Sequence, residues 1–237
     1  MQIERIIHSQ GFGSRKECRA LIRAGLVSID GQVVDKPHME FPVDDLVFEV
    51  EGEAWRYRPK AYLMMHKPGG CECSHQPQFH PSIYGLLPWP VVQRGVQSVG
   101  RLDQDTTRLI LFSDDGQFIH TWSSGKKRIP KVYQAVLAEA PTEALVDHLL
   151  AGVQLHDEPE PVHAVACRIT GERRIELTVT EGKYHMVKRM IAGVGGHVVQ
   201  LHRQQIGGLS IPPDLLEGEW CWLEDEQAAA LANWVVP

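Results

Sequence analysis

The sequence predicts an α+β protein in two parts. A small amino-terminal helix-helix-hairpin module (residues 1–57) precedes a larger domain (58–237) built on a mixed, mostly antiparallel sheet. Three observations carry this. Asp30-Gly31 lies between Val27-Ser28-Ile29 and Gln32-Val33-Val34, a strong two-residue hairpin signal. Two helical patterns come before it. Beyond residue 60, strand-like and helix-like stretches intermingle without a βαβ rhythm, which favours α+β over a parallel sheet.

The first helix is expected over residues 2–10, with Ile3, Ile6 and Ile7 on one side. Gly11-Phe12-Gly13 breaks it. Ser14-Arg15-Lys16-Glu17 is a capping-box pattern that starts a second helix, and Gly25 stops it. Cys18, Leu21 and Ile22 share its apolar face, while Arg15, Arg19 and Arg23 recur every fourth residue on another, with Lys16 beside them. Leu46 to Val50 is a third short strand, and Glu51 to Lys60, mixing charge with Gly and Pro, is expected to be a linker.

In the larger part, Ala61 to His66 reads as a buried strand ending in the turn Lys67-Pro68-Gly69-Gly70. Residues 76–98 carry many prolines and are expected to be a long loop. A polar loop, Gly100 to Thr107, leads into a strand at Leu109 to Phe112. A short helix follows at Gln117 to Ser123, then strands at Lys131 to Leu137 and Arg174 to Thr180. Thr142 caps a helix reaching Leu150. Another runs from Met186 to Val194, strands follow at Val198 to Leu201 and Leu209 to Ile211, and Glu224 to Trp234 is a terminal helix.

Composition is that of a soluble globular chain: 237 residues, 43% hydrophobic and 23% charged. No apolar run is long enough to span a membrane, and the amino terminus lacks the apolar core of a signal peptide. Five cysteines at irregular spacing argue against a disulfide framework and for a reducing compartment, so a cytoplasmic location is expected. Cys71, Cys73 and His75 raise the question of zinc, but Cys-x-Cys is tighter than the common structural spacings and packing cysteines are expected. The net charge of −6 hides segregation. Lys183 to Arg203 holds four Lys or Arg and no acid, and Lys126, Lys127, Arg128 and Lys131 form a second basic cluster, so a local basic face for phosphates is available.

Chemistry points to Gly100-Arg101-Leu102-Asp103-Gln104-Asp105-Thr106-Thr107. A carboxylate flanked by an arginine and hydroxyls, on a loop held by a buried strand, is placed for reaction rather than packing. With it stand Lys67-Pro68-Gly69, Lys131-Val132-Tyr133, and Glu181-Gly182-Lys183-Tyr184-His185-Met186-Val187-Lys188-Arg189-Met190. In that order these pieces resemble the pseudouridine synthases. Gly152-Val153-Gln154-Leu155-His156 and Val198 to Arg203, followed by Ile206-Gly207-Gly208, resemble the branch whose type member modifies small-subunit ribosomal RNA. The amino-terminal module, through Ser14 to Glu17, Leu21 to Gly25 and Val27 to Gly31, resembles the S4-type RNA-binding domain. There Gln2-Ile3-Glu4-Arg5 departs from the usual Arg-Leu-Asp-Lys opening.

The resemblance implies conversion of uridine to pseudouridine: the N1–C1′ bond breaks, the base turns, and C5 bonds to C1′. No cofactor and no metal are implied. Asp103 would act at the sugar, either adding to C1′ or removing a C2′ proton. The uridine must leave the stack to be reached. Arg101 would fill the space it vacates, Tyr133 would stack on the uracil near the C5 proton, and Lys188 would be the charge partner of Asp103. Arg15, Lys16, Arg19, Arg23, Lys67, Lys183, His185 and Arg189 are the expected RNA contacts. The implied partner is ribosomal RNA or a ribosomal subunit precursor, met by a monomer with no membrane attachment. Action on large-subunit RNA, or service as a non-catalytic RNA-binding assembly factor, are the alternatives.

Two positions depart from the family pattern. Arg108 stands where Asp-x-x-Thr-x is usually followed by Gly-Leu, and Met186 where His-Gln is common. An L-residue at positive φ costs roughly 1–2 kcal/mol. Arg108 is therefore expected at negative φ, its side chain leaving the pocket towards solvent or RNA phosphate rather than entering beside Asp103.

Overall fold

The structure, a computed structural model, describes residues 1–235. The chain forms two compact units, Met1–Ala61 with Leu87–Gln97, and Tyr62–Leu86 with the chain from Ser98 onward.

In the first unit, α1 (Ile3–Ser9) and α2 (Arg15–Arg23) pack on a four-stranded antiparallel sheet. Its strands β1 (Val27–Ile29), β2 (Gln32–Val33), β3 (Val47–Val50) and β4 (Glu53–Arg56) lie in the order β2-β1-β3-β4. The capping box forms: Glu17 N–H donates to Ser14 Oγ at 3.4 Å and Ser14 N–H to the Glu17 carboxylate at 2.7 Å. Ile3, Ile6 and Ile7 meet Cys18 and Ile22 in one core with Val27 and Phe48. At the hairpin, Asp30 and Gly31 both take positive φ, which aligns the turn with the strand twist.

The stretch expected to be a linker is not one. Glu51 and Gly52, at φ 54 and 85, turn the chain back on β3. The charged residues that follow form an edge strand, β4, whose Trp55 stands edge-on to Phe12 at 5.3 Å. Residues 76–98 are likewise not a bare loop. They hold a 3-10 turn at Ile83–Leu86 and α3 (Trp89–Gln93), with Pro90 in the first turn where its missing N–H costs nothing. Arg94 of this segment donates to Gln10 at 2.8 Å. The Pro90 carbonyl lies so close to Gly11 that a Cβ there would sit 1.9 Å from it. Gly11 is thus required for that approach as well as for its φ of +90.

The second unit carries β5 (Tyr62–Lys67), β6 (Gln97–Ser98, at the boundary), β7 (Thr106–Ser113), β8 (Lys131–Leu137), β9 (Ala166–Gly171), β10 (Arg174–Val179), β11 (Val198–Ile206), β12 (Leu209–Ser210) and β13 (Trp220–Trp222). Its sheet runs β13-β5-β7-β11-β8-β10-β9, with β12 folded back on β11. β7 and β11 are parallel, and the other neighbours on that path are antiparallel. The helices are α4 (Gly116–Ser123), capped by Asp115, α5 (Glu143–Ala151), capped by Thr142, α6 (Met186–Gly193) and α7 (Asp225–Ala232).

β7 and β11 are longer than their apolar runs: their polar parts pair with each other, Leu201 opposite Thr106 and Arg203 opposite Arg108, and the end of β11 continues along β8. Arg108 corrects the expectation of negative φ: it sits at φ 77. The fold keeps the backbone that a glycine would accept, and the arginine bears the strain. That backbone turn sends its side chain to Gln204, whose Oε1 accepts from Arg108 Nη1. Beside it, Thr107 Oγ1 lies 2.6 Å from His202 Nδ1. The side chain does leave the Asp103 pocket, and it lines a separate groove with His66 and Arg168.

Candidate active site

The loop from Gly100 to Asp105 is tied down from beneath by the Lys67-Pro68-Gly69-Gly70 turn. Lys67 has no exposed surface, and its ammonium donates to the carbonyls of Pro68 (2.9 Å), Gln104 (3.0 Å) and Thr106 (2.9 Å). Gly70 N–H also reaches the Gln104 carbonyl at 2.8 Å. Cys73 brackets Leu102, donating to its carbonyl and accepting from its N–H, each at 3.4 Å. The expected RNA contact at Lys67 is therefore corrected: an ammonium with three carbonyl partners and no exposure holds the loop. Burial depresses its pKa, while the Cys73 and Cys71 thiols and the loop carboxylates Asp105 and Asp103 act in the opposite sense. The cysteines pack, and no cluster of metal-ligating side chains occurs among the described residues.

Above the loop, α6 supplies the counter-charges. Lys188 Nζ lies 3.1 Å from Asp103 Oδ2 and 2.6 Å from Asp105 Oδ1, so one ammonium bridges two carboxylates. Burial works against the Lys188 cation, but its bonds to Asp105 and Asp103 outweigh that and raise its pKa. Burial likewise opposes the charge on Asp105, yet the Lys188 hydrogen bond leaves its pKa below the usual value. His185 precedes α6 at φ 46, with its ring stacked on Tyr184 at 3.8 Å, and places Nε2 3.2 Å from Asp103 Oδ1. Asp103 is thus held on both oxygens, and the sequence pointed only to Lys188 for this.

Tyr133 is buried at the centre of β8, directly across from Arg203 on β11. It lines one cavity of about 100 Å³ with Asp103, Arg101, Lys183, His185 and Met186. Arg101 is exposed at its edge. Lys131, Thr106, Leu201 and Arg203 also line this cavity. The sequence marks Lys131 only as part of a basic cluster and of the Lys131-Val132-Tyr133 motif, and Arg203 only as part of a branch marker, and places neither beside Asp103.

The remaining expected RNA contacts divide into two groups. Arg15, Lys16 and Arg23 are exposed on α2. Arg19 is instead engaged within its own unit, with Nε 2.5 Å and Nη2 3.0 Å from the Glu4 carboxylate. Lys183 is held by Glu158 at 2.8 Å and Glu181 at 2.9 Å, and Arg189 pairs with Asp157. The charge that looked free in Lys183 to Arg203 is partly neutralised by Asp157 and Glu158, which stand distant in sequence.

This fold and this carboxylate-centred cavity define the class: the chain belongs to the pseudouridine synthases. The family described as RNA pseudouridylate synthase matches residues 61–193, and the S4 domain matches residues 2–47. Among its relatives is ribosomal small subunit pseudouridine synthase A of Escherichia coli (strain K12), 34% identical over 98% of this chain and 100% of that one. The protein of the same name from Haemophilus influenzae is 35% identical over 93% of this chain and 94% of its own. A solved structure titled as a pseudouridylate synthase superposes with a TM-score of 0.69 at 33% identity, covering 98% of this chain and 100% of that one.

Proposed function

We propose that this enzyme converts a uridine of small-subunit ribosomal RNA to pseudouridine, with residues 1–57 gripping the RNA and 58–237 carrying out the isomerisation. It would act as a monomer in the cytoplasm on ribosomal RNA or a precursor of the subunit. Among the described residues no helix is long and apolar enough to cross a membrane. The observation that carries the reading is Asp103, held between Lys188 and His185 on the wall of a cavity that also contains the Tyr133 ring.

The chemistry follows from that arrangement. A uridine turned out of its stack lays its uracil on Tyr133, and Arg101 at the cavity edge enters the gap left in the RNA. Lys188 and His185 fix the Asp103 carboxylate toward the sugar. There it adds to C1′ or takes the C2′ proton while the N1–C1′ bond breaks. A carboxylate suits work at an anomeric carbon. The reaction is an isomerisation, so it calls for no oxidant and no energy source.

Incubation with small- and large-subunit transcripts, followed by carbodiimide-dependent primer extension, tests this. One new stop in small-subunit RNA is expected, absent with Asp103→Asn, whose RNA affinity stays within a few-fold. Turnover by Asp103→Asn within about tenfold of wild type would remove Asp103 from its role, since losing an essential nucleophile or base costs far more. A stop only in large-subunit RNA would replace the substrate and keep the chemistry.

A further inference from the structure

The floor of the cavity holds more hydrogen-bonding capacity than the protein uses. Arg203 is 3% exposed, and its Nε donates to the Leu109 carbonyl at 2.9 Å. Its Nη2 is buried and has no hydrogen-bond partner among the described residues, and the same holds for Thr106 Oγ1. Lys131, 7% exposed, makes one longer bond, to the Ile129 carbonyl at 3.2 Å. All three line the cavity that contains Asp103 and Tyr133. A buried polar group without a partner is costly, and a guanidinium more so than an amide. Such groups persist where a ligand supplies the missing acceptor.

Register explains why they converge. Arg203 stands opposite Tyr133 on the neighbouring strand, so both side chains rise from the same face of the sheet. Lys131 is two residues before Tyr133 on β8 and therefore shares that face. Arg108, the parallel partner of Arg203, would crowd it if its side chain alternated normally. Its positive φ sends it to Gln204 instead.

We propose that Arg203, assisted by Lys131 and Thr106, reads the carbonyl edge of the flipped uracil and holds the negative charge of the base once it is detached. Uracil stacked on Tyr133 presents O2 and O4, both acceptors, to donors rising beside that ring. When the N1–C1′ bond breaks, its electron pair leaves with the base, and the charge spreads from N1 over O2 and O4. C1′ is meanwhile taken by an Asp103 oxygen, or the C2′ proton passes to that carboxylate. The base turns and C5 bonds to C1′ as the bond from C1′ to the Asp103 oxygen breaks, or as C2′ takes its proton back from the carboxylate. The C5 proton then leaves and N1 takes one up, so the sum is an isomerisation and the carboxylate is restored. Donors fixed in a dry site where charge develops act like an oxyanion hole. A phosphate is the competing ligand for a guanidinium, but Arg203 and Lys131 are buried at the floor whereas Arg101 is exposed at the edge.

This rests on the isomerase reading, and the test separates the two. Short RNAs carry uridine, 2-thiouridine or 4-thiouridine at the mapped position, and single-turnover rates are taken at saturating RNA for wild type, R203M and R203K. Wild type must turn over uridine RNA, and its failure would fell the isomerase reading itself. For R203M the chemical step is expected to slow about a hundredfold, the loss typical of one oxyanion donor. RNA affinity stays within threefold, and R203K recovers part of the rate. Sulfur, a poor acceptor, at one of the two positions slows wild type about tenfold and slows R203M no further. Equal sulfur penalties in both enzymes at both positions would overturn the proposal, as would R203M within threefold of wild type. Weakened binding with a shallower salt dependence would assign Arg203 to a phosphate and overturn it too. Should R203M fail to fold, K131M and R203K are carried through the same cycle with the same outcomes.

Discussion

Lys67 and Lys131 are both lysines buried in one sheet, and their surroundings differ in a way that separates scaffold from site. Lys67, at the end of β5, has no exposed surface and gives its ammonium to three carbonyls between 2.9 and 3.0 Å. Lys131, at the start of β8, is nearly as buried but finds one carbonyl at 3.2 Å and lies near Arg203, whose charge opposes its own. Hydrogen-bond satisfaction, rather than burial or residue type, distinguishes them. A saturated buried cation stabilises the loop it binds, whereas an unsaturated one stores a requirement that substrate can meet.

Opposite effects of removal are the strongest check on that comparison. Lys67→Met strips donors from three carbonyls at the base of the Asp103 loop and should destabilise the protein by about 3–6 kcal/mol, at ~1–2 per carbonyl affected. Thermal unfolding of the full chain would show the midpoint falling by roughly 10 °C. Turnover should fall as well, because the loop carrying Asp103 loosens. An unchanged midpoint would mean that Lys67 is no strut.

Lys131→Met should have the opposite effect on stability, raising it, while still lowering turnover at least about tenfold. Burial, with help from the Arg203 charge, pushes the Lys131 pKa down from 10.5 to about 8. Below pH 8 folded and unfolded chains both hold the proton, and the folded one bears the full cost of the buried cation. Between pH 8 and 10.5 the folded chain sheds its proton first, so wild-type stability rises with pH across that window. The advantage of Lys131→Met, up to about 3 kcal/mol near neutrality, should therefore shrink by pH 10. Urea unfolding of both proteins at pH 7 and pH 10 measures it, and an advantage that does not change with pH would defeat the argument.

The contrast also shows what was legible in the sequence. Elements with a local signature were readable: the Ser14 cap, the Asp30-Gly31 hairpin, and β8, whose alternation gave Lys131 to Leu137 with correct ends. Elements whose existence depends on a distant partner were not. β4 is a charged edge strand, β9 has mostly exposed residues, and β13 is the triplet Trp-Cys-Trp. The polar start of β7 is a strand because β11 lies beside it. At the site, the order of motifs led to Asp103, Tyr133 and Lys188, while Asp105 as the second carboxylate on Lys188 and the floor of Arg203 and Lys131 needed three dimensions. A basic residue in sequence carries no label for its partner, and so Lys67, Arg19, Lys183 and Arg189 looked equally free.

The same rule of satisfaction ranks the arginines of α2. Arg15 and Arg23 are exposed, whereas Arg19 is committed to Glu4. Replacing Arg15 and Arg23 together by Ala should reduce the slope of log affinity against log salt by about 1.4–1.8, since each phosphate contact contributes roughly 0.7–0.9. Arg19→Ala should change it by less than half as much as either of the others alone. Equal effects from all three, measured by filter binding between low and moderate salt, would show that RNA draws Arg19 away from Glu4.

Arg108→Gly gives the smallest effect and the sharpest view of the sheet. Arg108 pairs opposite Arg203, yet at φ 77 it sends its side chain to Gln204. Glycine relieves a strain of roughly 1–2 kcal/mol. It gives back about 0.5–1 kcal/mol through the freedom of the unfolded chain, and also forgoes the Gln204 contact. These nearly cancel, so stability should change by less than about 1 kcal/mol. Because the backbone already holds the shape that glycine prefers, Asp103 and the space around Arg203 stay as they are. Single-turnover rates at saturating RNA should therefore remain within about threefold of wild type. A hundredfold change in either direction would mean that the Arg108 side chain, through Gln204, sets the position of β11 and with it the guanidinium of Arg203. The two faces of the sheet would then be one mechanical unit rather than a site and an independent groove.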